Sequence, residues 1–163
     1  MNLKKFLCSL ALSASVVMVG STVQAHVLDG AQQFKGHYYK NFETPMPWED
    51  AEAFCKSMGG HLATAEDKEE MIPIKKAVEA GGQGCGYWIG GYATQRGIWK
   101  WLKGGVITDQ NWRSGEPNCS LQYKPRMYVY RNYNGEWWDS SSGDNRAFVC
   151  EWETYEQAHD SDW

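Results

Sequence analysis

Apolar residues recur with a helical period early in the chain and in short strand-like runs later. One helical face is marked by apolar residues three and four positions apart: Trp48, Ala51, Cys55 and Met58. Pro47 suits the first position of this helix, where its missing N–H costs nothing, and Gly59-Gly60 ends it. The spacing therefore predicts an amphipathic helix.

A second helix is predicted to follow, with a cap at its start and an interruption inside it. Thr64 and Asp67 have the three-residue spacing of a capping pair. Pro73 lacks an N–H and disrupts a helix interior, so we expect a break or kink there. The glycine-rich stretch 81–86 is typical of a loop.

After this loop the pattern becomes that of β-strands. Aromatic and β-branched runs alternate with Gly, Asn and Ser turns, at residues 87–89, 98–101, 127–130 and 147–150. Residues 34–39 are predicted to add a strand at the front. Helices followed by clustered strands predict an α+β domain with an antiparallel sheet.

The stretch from Lys103 to Lys124 has little apolar periodicity and is rich in Gly, Asn, Ser and Asp. A loop of this length inside a compact domain is usually functional or disordered. It is therefore the first place to look for a binding site. Residues 154–163 are acidic and polar, and are predicted to form a frayed tail.

The N-terminus has the pattern of a signal peptide. Lys4 and Lys5 precede an apolar run from Phe6 to Gly20, and Val23-Gln24-Ala25 matches the small-x-small site of signal peptidase. A membrane anchor is the alternative, but this run is too short to cross a bilayer comfortably. The short dilysine start is typical of a bacterial leader.

Cleavage after Ala25 divides the chain into four parts. These are a signal peptide at 1–25, an extension at 26–33, one domain at 34–153 and the tail at 154–163. We expect a secreted or periplasmic protein, since no later run is long and apolar enough to span a membrane.

Charge and motifs exclude several classes of function. The net charge is −4 and the Lys and Arg residues are scattered, which argues against nucleic acid as a partner. The four histidines lack metal-ligand spacing, and no G-x-S-x-G elbow is present. We therefore predict that the protein is not an enzyme.

Four cysteines remain after cleavage: Cys55, Cys85, Cys119 and Cys150. An even number in an exported chain indicates disulfides, although four cysteines allow three connectivities.

Four short sequences in fixed order resemble the C-type lectin domain family. They are Trp48-Glu49-Asp50-Ala51 with Cys55 and Gly59-Gly60, Trp88-Ile89-Gly90-Gly91, Gly115-Glu116-Pro117-Asn118, and Trp137-Trp138-Asp139 with Phe148-Val149-Cys150-Glu151. The resemblance covers about Phe34 to Trp152. It implies a fold with two helices flanking antiparallel sheets, a long ligand-binding loop and disulfide staples.

The resemblance also implies a site and two disulfides. In the family the Glu-Pro-Asn triplet binds calcium and the vicinal hydroxyls of mannose-type sugars, which assigns both roles to Glu116, Asn118 and Asp139. A cis bond at Glu116–Pro117 would turn both side chains of the triplet toward one point. The implied disulfides are Cys55–Cys150 and, from the remaining two cysteines, Cys85–Cys119.

One position departs from the calcium-binding pattern. Trp138 stands where the family has a ligand Asn, and an indole offers no oxygen. No acid lies at 121–125, where the family has a further acidic ligand. Any calcium site here is therefore expected to be weak, toward the millimolar range. Trp138 could lie over the apolar face of a sugar or pack within the domain, and we favour packing.

The sequence thus predicts a secreted lectin that binds a glycan or glycoprotein surface, with calcium as a candidate cofactor. Its site would comprise Glu116, Asn118 and Asp139, with Trp138 beside them. The alternative is a calcium-independent module that binds a protein through the same loop. A small secreted enzyme is the weakest hypothesis, because no catalytic constellation is visible.

Overall fold

Eight strands of the described residues form one mixed sheet. The computed structural model describes residues 27–82, 86–108, 111–155 and 157–158. The strands are β1 Gln32–Phe34, β2 His37–Met46, β3 His61–Leu62, β4 Tyr87–Ala93, β5 Trp99–Trp101, β6 Pro125–Val129, β7 Trp137–Ser141 and β8 Arg146–Trp152. Their order is β1-β2-β8-β4-β6-β7, with β3 paired to β8 and β5 paired to β4. All pairs are antiparallel except β4–β8, which is parallel.

The first helix, α1, spans Trp48–Ser57, as its apolar spacing predicts. Its buried residues include Trp48, Ala51 and Cys55, all on the predicted face. The chain leaves the helix through Gly59, whose φ of +77° favours glycine.

The second helix, α2, spans Met71–Ala80, and the predicted cap and break were both wrong. Thr64 is buried well before the helix, where its N–H and hydroxyl both donate to the Glu151 carboxylate. Asp67 instead accepts the N–H groups of Glu69 and Glu70, which stabilises the turn that leads into α2. Pro73 is the third helical residue, and in the first turn an N–H has no intrahelical partner to lose. It therefore does not break the helix.

The single strand predicted at residues 34–39 is in fact a hairpin of β1 and β2. Phe34 pairs with His37 across a two-residue turn. Lys35 and Gly36 both have positive φ, at 50° and 90°. Such turns normally carry Asn-Gly or Asp-Gly, so Lys-Gly gave no turn signal.

The core consists of two aromatic-rich clusters, one under each helix. The cluster at α2 includes Ile74, Val78 and Trp137. The cluster at α1 includes Trp48, Trp88 and Trp152. Because an aromatic side chain can bury about 150–250 Å², these rings supply much of the apolar area that holds the sheet to the helices.

The Cys55–Cys150 disulfide is present, as the resemblance implies. It joins α1 to β8 across 95 residues of sequence. Cys119 forms no disulfide within the described part of the chain. Cys85 lies outside the described residues, as do the predicted signal peptide and most of the tail, so the Cys85–Cys119 bond stays a prediction. In the described ranges, no helix is long and apolar enough to cross a bilayer.

Candidate functional site

The long loop between β5 and β6 is anchored to the sheet by Trp112. Its backbone bridges to Trp137 at the start of β7. Its ring lies edge-on to Trp99 at a centroid distance of 4.6 Å and to Trp137 at 5.8 Å. Trp112 is therefore a structural residue, which folds the loop back onto the core just before the triplet.

The triplet forms a bend directly after this anchor. The N–H of Glu116 donates to the Arg113 carbonyl at 2.9 Å, and Gly115 between them has a φ of +91°. The Glu116–Pro117 peptide bond is cis, the geometry expected from the resemblance. The amide Nδ2 of Asn118 donates to Oε1 of Glu116 at 2.9 Å, so the two polar side chains meet.

Asp139, the third predicted site residue, lies on β7 beside the triplet. Its side chain is buried, at 6% exposure. Its carboxylate accepts the N–H of Asn118 at 2.8 Å and that of Cys119 at 3.1 and 3.2 Å. Its own N–H lies 3.5 Å from Oε2 of Glu116, which is a weak contact. Asp139 thus holds the triplet from below through backbone hydrogen bonds.

Two neighbouring carboxylates make the site electrostatically negative. Burial, and then the hydrogen bond with the Asp139 side chain, raise the pKa of Glu116. Burial, and then repulsion from Asp139, raise the pKa of the Cys119 thiol. Any ligand group that donates hydrogen bonds to these carboxylates would relieve part of this repulsion.

Trp138 packs beside the triplet within a cluster of tyrosines. Its ring lies 5.1 Å from Tyr130, 5.6 Å from Tyr133 and 6.2 Å from Tyr128, centroid to centroid. The Arg113 guanidinium lies 5.0 Å from the Trp138 centroid. The indole Nε1 is buried and has no hydrogen-bond partner among the described groups. Packing is therefore the role that the structure assigns to most of this ring.

Arg113 is the residue that sequence reasoning missed. Its guanidinium bonds to Glu136 at 3.1 Å and lies over Tyr133 as well as over Trp138. Its N–H donates to the Trp137 carbonyl at 3.0 Å, while its own carbonyl accepts from Glu116. Arg113 therefore ties the start of the triplet to β7. Only its position immediately after Trp112 could have signalled this role.

The described side chains do not complete a calcium site. Calcium takes six to eight oxygen ligands. Glu116 and Asn118 carry side-chain oxygens, of which Oε1 of Glu116 already accepts from Asn118. The oxygens of Asp139 already accept backbone N–H groups, and Trp138 brings none. Within the described ranges, no group of three or more His, Cys, Asp and Glu side chains could hold a metal ion. Hydrogen bonds of Asp139 and Arg113 hold both ends of the triplet.

Sequence and structure comparisons with known proteins point to the same family. The sequence profile described as "Lectin C-type domain" matches residues 44–152. The C-type lectin lectoxin-Lio2 of the snake Erythrolamprus poecilogyrus is 27% identical over 166 residues, covering 99% of this chain and 100% of the relative. Relatives of this chain include snake, fish and mammalian proteins, which lend no support to the bacterial origin suggested by the leader.

Two solved structures are informative about the range of function in similar folds. A structure described as an SPL-1–GlcNAc complex is 27% identical, with a TM-score of 0.65, and the alignment covers 76% of this chain and 93% of that one. A structure described as a calcium-independent type II antifreeze protein is 30% identical, with a TM-score of 0.65. That alignment covers 76% of this chain and 91% of the antifreeze protein. Similar chains thus include both a sugar-bound protein and a calcium-independent one.

Proposed function

Since the chain belongs to the C-type lectin domain family, whose members here are non-enzymatic binding proteins, we propose that it is a carbohydrate-binding lectin of mannose-type preference. The observation that carries this proposal is that Glu116 and Asn118 meet on one bend, which the buried Asp139 holds from below. The triplet is the one that binds mannose-type sugars in the family. The SPL-1–GlcNAc complex supports sugar binding on a similar fold.

The chemistry follows from the donors and acceptors on the bend. The Glu116 carboxylate accepts hydrogen bonds from sugar hydroxyls, while the Asn118 amide can both donate and accept. Adjacent hydroxyls on a sugar ring present this mixture of groups. Hydrogen bonds to a charged group contribute about 1.5–3 kcal/mol each, so Glu116 supplies much of the affinity. Asp139, the third residue of the predicted site, supports the bend through its hydrogen bonds to the backbone.

We further propose that binding proceeds without calcium. Asp139 and Arg113 hold both ends of the triplet through the protein's own hydrogen bonds, so no metal is needed to order the bend. The calcium-independent antifreeze protein is a precedent for this fold without the ion. Secretion is supported by the predicted leader and by the Cys55–Cys150 bond, because disulfides persist in oxidising compartments.

The test is calorimetric titration of the oxidised domain from His26 onward with methyl α-mannoside, in chelator and in excess calcium. Saturable binding in chelator, reduced more than about tenfold by Glu116→Ala, is expected. The matched control is Glu79→Ala, since Glu79 lies on α2, far from the loop in sequence. Binding seen only with calcium would overturn metal independence but keep the lectin.

A protein-binding module is the second candidate, favoured by exposed apolar side chains after the triplet. Leu121 is 46% exposed and Tyr123 is 55% exposed, in a short 3₁₀ turn spanning Leu121–Tyr123. Exposed apolar clusters commonly mark protein contacts. If no sugar binds with or without calcium, this candidate replaces the lectin, and Leu121→Ser with Tyr123→Ser would then weaken capture of the protein ligand.

A further inference from the structure

Arg113 is the residue whose main chain joins the triplet bend to β7. Its N–H donates to the Trp137 carbonyl at 3.0 Å, and its carbonyl accepts the N–H of Glu116 at 2.9 Å. Ser114 and Gly115, which lie between Arg113 and Glu116, are exposed, and Gly115 has a φ of +91°. Because glycine restricts the backbone little, the position of Glu116 depends on how firmly Arg113 is held.

The Arg113 side chain is held against two aromatic rings. Its guanidinium carbon lies 4.6 Å from the ring centroid of Tyr133 and 5.0 Å from that of Trp138. The two ring planes meet at 80°, so they confine the guanidinium in two directions. A hydrogen bond from Nη1 to the Glu136 carboxylate, at 3.1 Å, restrains its rotation. A lysine ammonium cannot reproduce this combination of planar stacking and directed donation.

The turn that presents these partners is itself fixed. Tyr133 and Glu136 lie in the β6–β7 turn, where the Glu136 N–H donates to the Tyr133 carbonyl at 2.9 Å. Asn134 and Gly135 lie between them with φ values of 52° and 77°, and both residue types tolerate a positive φ. The Asn134 side chain also accepts a hydrogen bond from Lys75 on α2. The turn is therefore a firm support that is connected to the helix.

We propose that Arg113 is a positioning residue of the sugar site, whose stacked side chain fixes the backbone that places Glu116. The inference rests on the proposed lectin function and adds a residue that acts through Glu116 rather than by touching the sugar. Asp139 holds the far end of the triplet, and Arg113 is its counterpart at the near end. Without the stack, only a fraction of the molecules would hold Glu116 in place, and the apparent affinity falls in proportion to that fraction.

The first experiment measures the affinity for methyl α-mannoside by calorimetry on the oxidised domain, in chelator and in excess calcium. Arg113→Ala should lower the affinity about fivefold, the factor that corresponds to one or two exposed cation–π contacts. Arg113→Lys should recover only part of this loss, because it keeps the charge without the planar stack. Glu136→Gln should change the affinity less than about twofold, since an exposed ion pair contributes little. The matched control is Arg131→Ala, which removes an exposed arginine from the same turn and should bind as the wild type does.

The second experiment measures deuterium exchange of the backbone amides by NMR in the ligand-free proteins. In Arg113→Ala the N–H of Glu116 should exchange faster than in the wild type, because its acceptor, the Arg113 carbonyl, is less firmly held. The amides of the buried strand β8 should exchange at the wild-type rate, whereas a merely structural role for Arg113 would raise exchange there too. Should Arg113→Ala not fold, faster exchange of Glu116 in Arg113→Lys carries the same test.

Contrary results separate the alternatives. Unchanged affinity in Arg113→Ala would overturn the positioning role and leave the lectin intact. Lower affinity with unchanged exchange at Glu116 would overturn it in favour of direct contact between Arg113 and the sugar. An equal loss of affinity in Glu136→Gln or in Arg131→Ala, or faster exchange throughout β8, would also overturn it. If the wild type binds no methyl α-mannoside, the lectin function is refuted, and the exchange of Glu116 still decides whether Arg113 positions the bend.

Discussion

Truncation of Trp138 separates a supporting role for the indole from direct contact with a sugar. The ring contacts three tyrosines at centroid distances of 5.1–6.2 Å, and each such pair contributes about 0.5–1.5 kcal/mol. The contact with Arg113 adds about 0.5–1 kcal/mol. Against these, the unpartnered Nε1 costs roughly 1–3 kcal/mol in the wild type, and truncation removes that cost.

Because these pair energies come in addition to the burial of ring area, the balance predicts that Trp138→Ala lowers the free energy of unfolding by at least about 2 kcal/mol. Urea denaturation measures it, as a fall in midpoint on the order of 1 M at ordinary m-values. Trp138→Phe is the matched variant, because it keeps a ring and deletes the unpartnered N–H. It should be at least as stable as the wild type.

The sugar titration supplies the second readout. If Trp138 only supports the bend, Trp138→Phe should bind methyl α-mannoside as the wild type does. An unchanged urea midpoint in Trp138→Ala, together with lost sugar affinity, would refute the reasoning. The indole would then contact the sugar, which is the other role considered from the sequence.

Three further substitutions or modifications test the supports of the fold and site. Asp139→Ala leaves two backbone N–H groups of the bend without their charged acceptor and should cost about 2 kcal/mol in urea unfolding; the exposed Asp29→Ala is the control, and equal midpoints would contradict it. Glu151→Ala removes a carboxylate of 2% exposure that binds Thr64 and should cost about 3 kcal/mol by thermal unfolding, with partial recovery in Glu151→Gln. The raised pKa of the Cys119 thiol predicts that, at neutral pH, Cys119 is alkylated more slowly in the folded protein than in the protein unfolded without reductant. If Cys119 is not alkylated even in the unfolded, unreduced protein, it is disulfide-bonded and the prediction is wrong.

Local patterns predicted the elements that depend on local contacts. The face of α1 followed from spacing because the helix buries one stripe of residues against the sheet. Thr64 misled because its partner, Glu151, is 87 residues away, and a long-range hydrogen bond leaves no local trace. The turn at Lys35 was not predicted, because Lys35 has a positive φ that its residue type rarely adopts.

In the candidate site, too, residues of a sequence motif were predicted, whereas residues placed by tertiary contacts were not. Glu116, Asn118 and Asp139 were predicted because a motif records their types and order. The stack of Arg113 on Trp138 and Tyr133 was not, since each residue alone is compatible with many surfaces.

The order of the strands has a consequence for how copies of this domain could be arrayed. Tyr38 pairs with Trp152, so the beginning and end of the folded region lie side by side at β2 and β8. Asp139 is on β7, at the opposite edge of the sheet, four strand spacings from β2 and three from β8, or roughly 14–19 Å across the sheet. A tether at either end would leave the bend uncovered, so neighbouring copies on one scaffold would present their bends together to a ligand with repeated binding groups. Such multivalent display can raise avidity by roughly 10²–10⁴ over a single weak site.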